Sequence, residues 1–338
     1  GRAYPIQAFL TPQDTDFGKA LIRFADESPV TQDAEDWLAI QVATTYGLDK
    51  ATMDERIAWA LDNHELITKV ALDPEGSIPE WEAADEPWQF MAACDEYYHC
   101  IIKKDKTTTG LMVAVDATCS GLQVLAGLAK DQSTASLVNV CPADTPSDAY
   151  KAVANEAKKY LPKRMHSWMT RGTCKRTVMT IPYNATKDSS RKYIKQSLKE
   201  QGIDPTKDEL TQVVNAVYQS MDAIVPGPMQ VMRWIKQHVG QYIRDGATEV
   251  EWVTPSGFTV NQRRDKVNIQ RVQLQLLGSI VISVDKGSGT PCPIRHKSST
   301  APNFIHSLDA SILHCSFQQF NEPFTVIHDS VLTRAGDM

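Results

Sequence analysis

The sequence lacks several features that would mark particular classes of protein. It has no uninterrupted apolar run of about 18 residues, which a membrane-spanning helix requires, and no charged-then-apolar leader with a small-residue cleavage site. Its seven cysteines are scattered and never form two close-spaced pairs, which argues against a disulfide framework or a structural zinc site. We therefore expect a protein of the cytosol with no membrane partner.

What the sequence does have is enough apolar material for a sizeable core. It contains 338 residues, of which 42% are hydrophobic, and this size favours two or three structural regions. The chain opens on Gly-Arg-Ala-Tyr rather than a methionine and stops at Met338 just after a strand-like segment. From these ends we expect a fragment of a longer protein.

Charge is distributed unevenly along the chain. The formal net charge is −6, which taken alone argues against a nucleic-acid partner. Residues 158–195, however, contain eleven Lys and Arg and a single acidic residue, Asp188. This segment is either a surface for a polyanion or a solvated helix face, and charge alone favours the second interpretation.

Apolar periodicity predicts mainly helices in the first hundred residues, at 15–25, 34–47, 51–71 and 86–102, with an acidic connector at 73–87. A buried strand follows at 111–115, and then a helix from about Ser120 to Lys130. In the middle of the chain, Thr145 is the expected N-cap of one helix, with Pro146 at its first position. A basic helix from about 163 to 181 and a helix at 206–225 follow, the latter ended by Pro226.

The last third of the chain mixes strands with helix. A hairpin is predicted around Pro255-Ser256-Gly257, with strand-like segments at 267–275 and 279–284. A helix at 301–320 and a strand, tight turn and strand at 323–333 complete the chain. The predicted fold class is α+β, with a small sheet that carries carboxylates and a large helical insertion between its strands.

Two aspartates stand at the ends of short apolar strands. Asp116 directly follows the strand at 111–115, and Asp329 follows the apolar run that leads to His328. On neighbouring strands their carboxylates could hold two divalent ions roughly 4 Å apart, an arrangement that activates one phosphate-bound oxygen and stabilises another. Magnesium suits such a site. The alternative is that each aspartate is simply a turn residue.

A second pattern lies in the basic helix. Arg171, Lys175, Met179 and Tyr183 recur every four residues, so they fall close to one line along a helix. We call these four residues the basic stripe. This order of groups would suit a nucleoside triphosphate: two cations would bind its phosphates, an apolar side chain would lie beneath its sugar, and a ring would lie near its base and ribose. The alternative is an amphipathic helix with its cations in solvent and its Met and Tyr in the core.

Several motifs, in this order, resemble those of the single-subunit RNA polymerases of bacteriophages and mitochondria. They are "GRAYP", "VDATCSG", "RGTCKRTVMTIPY", "WVTPSGF", "PNFIHSLD" and "IHDS". The resemblance implies a right-hand fold with a small antiparallel palm sheet and a large, mostly helical fingers insertion. The palm would comprise residues 1–26, 107–132 and 306–338, with a helical palm insertion at 27–106 and fingers at 133–305. The thumb and the N-terminal promoter-binding region would be absent.

The resemblance also implies the reaction and its partners. Two Mg²⁺ ions would be the cofactors, and ribonucleoside triphosphates, a DNA template and the RNA transcript would be the partners of a monomeric enzyme. The location would be the cytoplasm, of the host cell if the protein is viral, or the mitochondrion.

Residue roles follow from the matched motifs. Asp116 and Asp329 would hold the metal ions and, with Lys175 and Tyr183, form the catalytic group. Substrate would be bound by the basic stripe together with two residues outside it, His306 and Gly121. Tyr183 and His306 would monitor the ribose 2′-hydroxyl, while Arg2 and Arg176 would contact nucleic acid. His328, beside a metal aspartate, would shape the site.

The sequence departs from the family pattern at four positions. Pro182 should kink the helix end, and Asn184 replaces a usual glycine in what can still be a left-handed cap. Ala117 replaces a glycine after the first aspartate, and Val331 replaces an aromatic residue. These changes leave the predicted rate and sugar discrimination open.

Three other functions compete with RNA synthesis. A family A DNA polymerase would place glutamate at the position of Gly121 and end the last motif in His-Asp-Glu, where this chain has Ser330. A non-catalytic helical protein that binds nucleic acid through residues 158–195 would leave the two aspartates unexplained. A two-metal phosphatase or nuclease would need more clustered carboxylates and histidines than the sequence offers.

Overall fold

The computed structural model of the protein describes residues 1–274 and 280–338 and is a mixture of helices and small antiparallel sheets. The α-helices are α1 (Asp16–Ala20), α2 (Gln32–Ala43), α3 (Met53–Asp62), α4 (His64–Leu72), α5 (Ile78–Glu82), α6 (Pro87–Tyr97), α7 (Ser120–Ala129), α8 (Gln132–Leu137), α9 (Ala149–Ala157), α10 (Arg171–Thr180), α11 (Lys187–Glu200), α12 (Lys207–Ile224), α13 (Pro226–Arg244) and α14 (Pro293–Ser316). The strands are β1 (Ser28–Pro29), β2 (Thr108–Thr109), β3 (Met112–Val115), β4 (Val250–Val253), β5 (Thr259–Gln262), β6 (Ile269–Leu274), β7 (Ile280–Asp285), β8 (Phe324–Ile327) and β9 (Ser330–Arg334). The predicted α+β class is confirmed at this level.

The chain divides into two compact units. The first unit comprises Arg2–Ala117 and Ser316–Met338, and the second comprises Thr118–Cys315 together with Gly1. The division after Ala117 falls inside the segment 107–132 that was assigned to the palm. The palm and fingers boundaries remain a prediction.

The three-stranded sheet of the first unit has the strand order β3-β9-β8 and is antiparallel throughout, and β1 and β2 form a separate two-stranded sheet. In the pairing of β3 with β9, Val115 lies opposite Val331. Strands β8 and β9 form a hairpin in which Ile327 pairs with Ser330, so the turn consists of His328 and Asp329. The predicted strand, tight turn and strand are confirmed, as is the neighbouring position of the two aspartate-bearing strands.

Helices of the first unit pack against β3. Val113 is buried in the same apolar cluster as Leu38 of α2 and Phe90 of α6. The Ala114 N–H of β3 also donates to the Gln41 side chain of α2, at 3.3 Å. Each fully buried side chain of this kind contributes roughly 1.5–3 kcal/mol, which fixes the strand that leads to Asp116.

The second unit is a helical core with two hairpins. Residues Cys174 and Val178 of α10 are fully buried against α9, α11 and α12, which leaves the opposite face of α10 to solvent. Helix α14 packs through Ile305 on Leu125 of α7. The predicted hairpin is confirmed as β4 and β5, and the two strand-like segments as β6 and β7. The parts of those predictions that fall on Gln275 and Ser279 lie outside the described residues.

The predicted basic helix at 163–181 was wrong in its bounds. Residues Lys163–Trp168 form a 3₁₀ segment, and α10 begins only at Arg171. Thr170 has an extended backbone and its side chain accepts the Thr173 N–H, so it caps α10 and separates the two segments.

The predicted N-cap at Thr145 was also wrong. Asp148 caps α9, and the Asn139 side chain binds both backbone groups of Ser147 and holds that residue outside the helix.

Other helix predictions were too long or too short. The helix expected at 51–71 is split at Asn63 into α3 and α4, and the one at 15–25 is only the five-residue α1. The acidic connector contains α5, and α14 begins eight residues before the predicted start and accommodates Pro302 in its interior. Within the part of the chain that the structure describes, no helix combines the length and apolar character needed to cross a membrane.

Candidate active site

The sheet register determines how Asp116 and Asp329 meet. Asp116 is the first residue beyond β3, and Asp329 is the last residue before β9, the strand that pairs with β3. The Ser330 hydroxyl donates to the Val115 carbonyl at 3.2 Å and extends this pairing past the last ladder position. Both carboxylates therefore lie at the same edge of one sheet.

The negative charge of Asp329 acts on the Asp116 carboxylate. The Asp116 residue is exposed, and the protein atoms near its carboxylate displace part of the surrounding water. Desolvation by those atoms, followed by the negative charge of Asp329, raises the pKa of Asp116, and the Ala117 N–H and the charges of Lys50 and Lys19 only partly offset this. The negative charge of the two carboxylates is thus only partly neutralised by the neighbouring groups of the protein.

This arrangement suits a divalent cation. Among the described residues, neither carboxylate forms an ion pair with a Lys or Arg, and no group of three His, Cys, Asp or Glu side chains converges as a metal site. Magnesium commonly takes only one or two protein carboxylates and completes its coordination with water and substrate phosphates. Two carboxylates with unmet negative charge fit that mode of binding.

The exposed face of α10 carries the first three residues of the basic stripe. Arg171 is half-buried, and Lys175 and Met179 are exposed, Met179 by 43%. The Lys175 side chain has no hydrogen bond or ion pair to any other described residue. Met179 is therefore outside the core, contrary to what the amphipathic-helix alternative expected.

Tyr183 lies beyond the helix rather than on it. Helix α10 ends at Thr180, and the Tyr183 N–H donates to the Thr180 carbonyl at 3.1 Å in the turn that follows. The predicted kink at Pro182 is thus a helix end two residues earlier: Ile181 still has helical angles, φ −59° and ψ −45°, but Pro182 has no N–H with which to continue the helical hydrogen bonds.

Tyr183 is the centre of a small cluster within the second unit. Its ring lies 4.7 Å from the His306 ring, centroid to centroid, with 35° between their planes. Its hydroxyl is 3.1 Å from the Ser120 hydroxyl. A Cβ at Gly121 would come within 3.0 Å of the Tyr183 hydroxyl and 3.1 Å of the Pro182 side chain. The absent side chain at Gly121 therefore makes room for Tyr183 itself, a role that the sequence did not indicate.

The departures from the family pattern have local explanations. Asn184 adopts φ +65°, so the predicted left-handed cap is confirmed, and its side-chain amide donates to the Ser298 carbonyl at 3.0 Å. Ala117 donates its N–H to Asp116, which any residue other than proline could do. Val331 is half-buried opposite Val115 in the sheet.

The remaining predicted residues lie at the surface or near the turn. The Arg176 guanidinium stacks on the Tyr193 ring, 4.2 Å from its centroid, and is exposed. Arg2 is half-buried in the first unit. His328 adopts φ +59°, its ring meets that of Tyr4 edge-on at 5.5 Å, and its Nδ1 is buried with no hydrogen-bond partner among the described residues.

Sequence reasoning missed three residues that support these groups. They are Ser120, whose hydroxyl meets Tyr183, and Asp148 and Tyr150, which both contact Arg171. Asp148 could have been found as a helix cap, because it stands directly before an apolar-periodic segment. No spacing rule links it to an arginine 23 residues further along the chain.

Comparison with known proteins identifies the family. A family model for DNA-dependent RNA polymerase matches residues 28–338. The chain therefore belongs to the DNA-dependent RNA polymerase family, which confirms the resemblance seen in its motifs.

Relatives of the chain include mitochondrial and bacteriophage enzymes. It is 31% identical to the mitochondrial DNA-directed RNA polymerase of Mus musculus and 30% identical to that of Homo sapiens, and covers 30% and 29% of those proteins. It is 27% identical to T7 RNA polymerase of Escherichia phage T7 and covers 45% of it. Each alignment includes 100% of this chain, which spans less than half of the length of these relatives.

Proposed function

We propose that this chain carries the catalytic centre of a DNA-directed RNA polymerase and catalyses templated nucleotidyl transfer from ribonucleoside triphosphates. The observation that carries the proposal is the meeting of Asp116 and Asp329 at one edge of a sheet, in a chain of this family. In this proposal the fold is a right hand. Residues 1–26, 107–132 and 306–338 form the palm, 27–106 a palm insertion and 133–305 the fingers.

The reaction is attack by the RNA 3′-hydroxyl on the α-phosphorus of the incoming triphosphate, with pyrophosphate as the leaving group. Asp116 and Asp329 would hold two magnesium ions, which supply Lewis-acid activation of the hydroxyl and stabilisation of charge on the phosphates. The raised pKa of Asp116 supports this role, because a nearby cation would offset both causes of the rise, the desolvation of the carboxylate and the repulsion from Asp329.

Cations of α10 would bind the triphosphate. Lys175 is exposed and has no protein partner in the described residues, so its ammonium group is available to a phosphate. Arg171 offers a planar fork that matches phosphate oxygens. Met179, exposed on the same face, would lie against the sugar, while Arg176 and Arg2 would contact the nucleic-acid backbone.

Discrimination between ribose and deoxyribose would depend on Tyr183 and His306. Their rings are in contact at a tilt of 35°, and the Tyr183 hydroxyl is within hydrogen-bond distance of the Ser120 hydroxyl. A side chain at Gly121, where family A DNA polymerases have glutamate, would bring its Cβ to 3.0 Å from Tyr183, so the tyrosine would have to shift. This crowding supports an RNA polymerase over a DNA polymerase.

The test is extension of an RNA primer on a DNA template by the whole protein that contains this chain, with ribo- or deoxynucleoside triphosphates. We expect extension with ribonucleotides that follows the template sequence and requires magnesium. Preference for deoxynucleotides would assign the chain to DNA synthesis, and template binding without extension would leave only a nucleic-acid-binding role. Size-exclusion chromatography of the same sample tests whether the protein is a monomer, as expected. The cellular location of the protein, cytoplasmic or mitochondrial, remains a prediction.

A further inference from the structure

We propose that Asp148 is a positioning residue for the triphosphate-binding arginine, holding the Arg171 side chain so that its terminal nitrogens face the phosphates. The proposal rests on the role of Arg171 under the proposed function. It adds a residue outside the family motifs, from the loop before α9, to the substrate-binding group.

The contact uses only one edge of the guanidinium. The Arg171 Nε–H donates to Asp148 Oδ2 at 2.7 Å, and the structure shows no hydrogen bond from either terminal nitrogen to another described residue. Arginine binds phosphate bidentately through such N–H groups. A carboxylate that blocked the site would be expected to pair with the terminal nitrogens, so the observed geometry favours orientation over competition.

Asp148 is itself held rigidly. Its Oδ1 accepts the Lys151 N–H at 3.0 Å and caps α9, which leaves Oδ2 for Arg171. Partial burial alone would raise the pKa of Asp148, but the hydrogen bonds from Lys151 and Arg171 and the arginine's charge outweigh it and lower the pKa. The carboxylate is therefore ionised at neutral pH, and its two oxygens have separate functions.

The Tyr150 ring supports the guanidinium from a second direction. The Arg171 Cζ lies 5.3 Å from the centroid of this ring, within the range of a cation–π contact. The ring is fixed because the Tyr150 hydroxyl donates to the Thr118 carbonyl at 3.0 Å. The hydrogen bond at Nε and the cation–π contact together restrict the rotamers of the Arg171 side chain, which would otherwise lose this freedom only on binding phosphate.

Asp148→Asn is the variant that separates the two functions of this carboxylate. Asparagine caps helices about as well as aspartate, so α9 should remain formed while the ion pair to Arg171 is lost. In the whole protein, we expect the KM for ribonucleoside triphosphate to rise about tenfold, because the loss of one hydrogen bond to a charged group has an effect of that size. The kcat should change less than about twofold, since the lost interaction serves substrate binding.

A double-mutant cycle distinguishes positioning from a structural effect. In an Arg171→Ala background, Asp148→Asn should have no further effect on KM; a persistent rise would mean that the aspartate acts on the fold. Asp131→Asn is the matched control, because Asp131 caps α8 without an arginine partner and should leave KM unchanged.

Two other outcomes would overturn the proposal or its premise. A lower KM in Asp148→Asn would show that the carboxylate competes with the triphosphate, which contradicts positioning. An Arg171→Ala variant with normal KM would show instead that the proposed function assigns this arginine wrongly, whatever the result at Asp148.

Discussion

Replacing Asn184 by alanine should destabilise the second unit by about 2 kcal/mol, and the structure allows this figure to be built from two contributions. Asn184 holds φ +65°, a conformation that costs an ordinary L-residue about 1 kcal/mol more than asparagine. Its side chain also donates to the Ser298 carbonyl of α14 at 3.0 Å, and a neutral hydrogen bond contributes about 1 kcal/mol. Alanine loses both contributions.

Glycine at position 184 separates the contribution of the backbone conformation from that of the hydrogen bond. Asn184→Gly loses the hydrogen bond but adopts the left-handed conformation without strain, so we expect a loss of about 1 kcal/mol or less. The assay is urea unfolding followed by circular dichroism, with comparison restricted to variants whose m-value is unchanged. Equal stability of the alanine and glycine variants would refute the contribution of the backbone conformation. An alanine variant as stable as wild type would refute both the backbone contribution and the hydrogen-bond contribution.

Three further predictions concern the proposed site. Gly121→Ala should displace the Tyr183 ring, because the new Cβ would lie 3.0 Å from it, and should raise the KM for ribonucleotides in steady-state extension assays; an unchanged KM would contradict the crowding argument. Tyr183→Phe removes the hydroxyl that meets Ser120 and should weaken discrimination against deoxynucleotides; unchanged selectivity would count against its sugar role. Asp116→Asn should unfold at a higher temperature than wild type at pH 7 without divalent cations. The gain in free energy of unfolding should be less than about 1 kcal/mol, because solvent screens the charge of the exposed Asp116 carboxylate. The pKa of Asp116 is raised in the folded state, so the protonated carboxyl stabilises the fold and this stabilisation is lost as pH rises from about 4. The stability advantage of Asp116→Asn over wild type should therefore vanish at lower pH. An advantage that persists at low pH would rule out charge as its cause.

Strong local signals made much of the fold predictable. Alternating apolar residues between turn residues correctly indicated β4 and β5, and the short apolar run before His328-Asp329 correctly indicated β8 and its hairpin turn. Because a two-residue turn fixes its own register, the position of Asp329 at the end of that hairpin followed from sequence.

What could not be predicted depends on particular side-chain contacts, one of them local and the others between residues distant in sequence. The separation of residues 163–168 from α10 results from the local competition of the Thr170 side chain for a backbone N–H, which periodicity does not reveal. The role of Gly121 is decided by Tyr183, more than 60 residues away in sequence, and the pairing of Asp148 with Arg171 requires the packing of α9 on α10.

In the proposed function, Asp116 and Asp329 act together at one metal-dependent centre. Single-turnover incorporation of one ribonucleotide should be measured for wild type, Asp116→Ala and Asp329→Ala, with Asp95→Ala as control because its carboxylate is exposed in the same unit. We expect each of the first two variants to lose about 10²- to 10³-fold in rate, since removal of a group that stabilises transition-state charge has effects of that size. The control should retain its rate. A normal rate in either Asp116→Ala or Asp329→Ala would contradict the account.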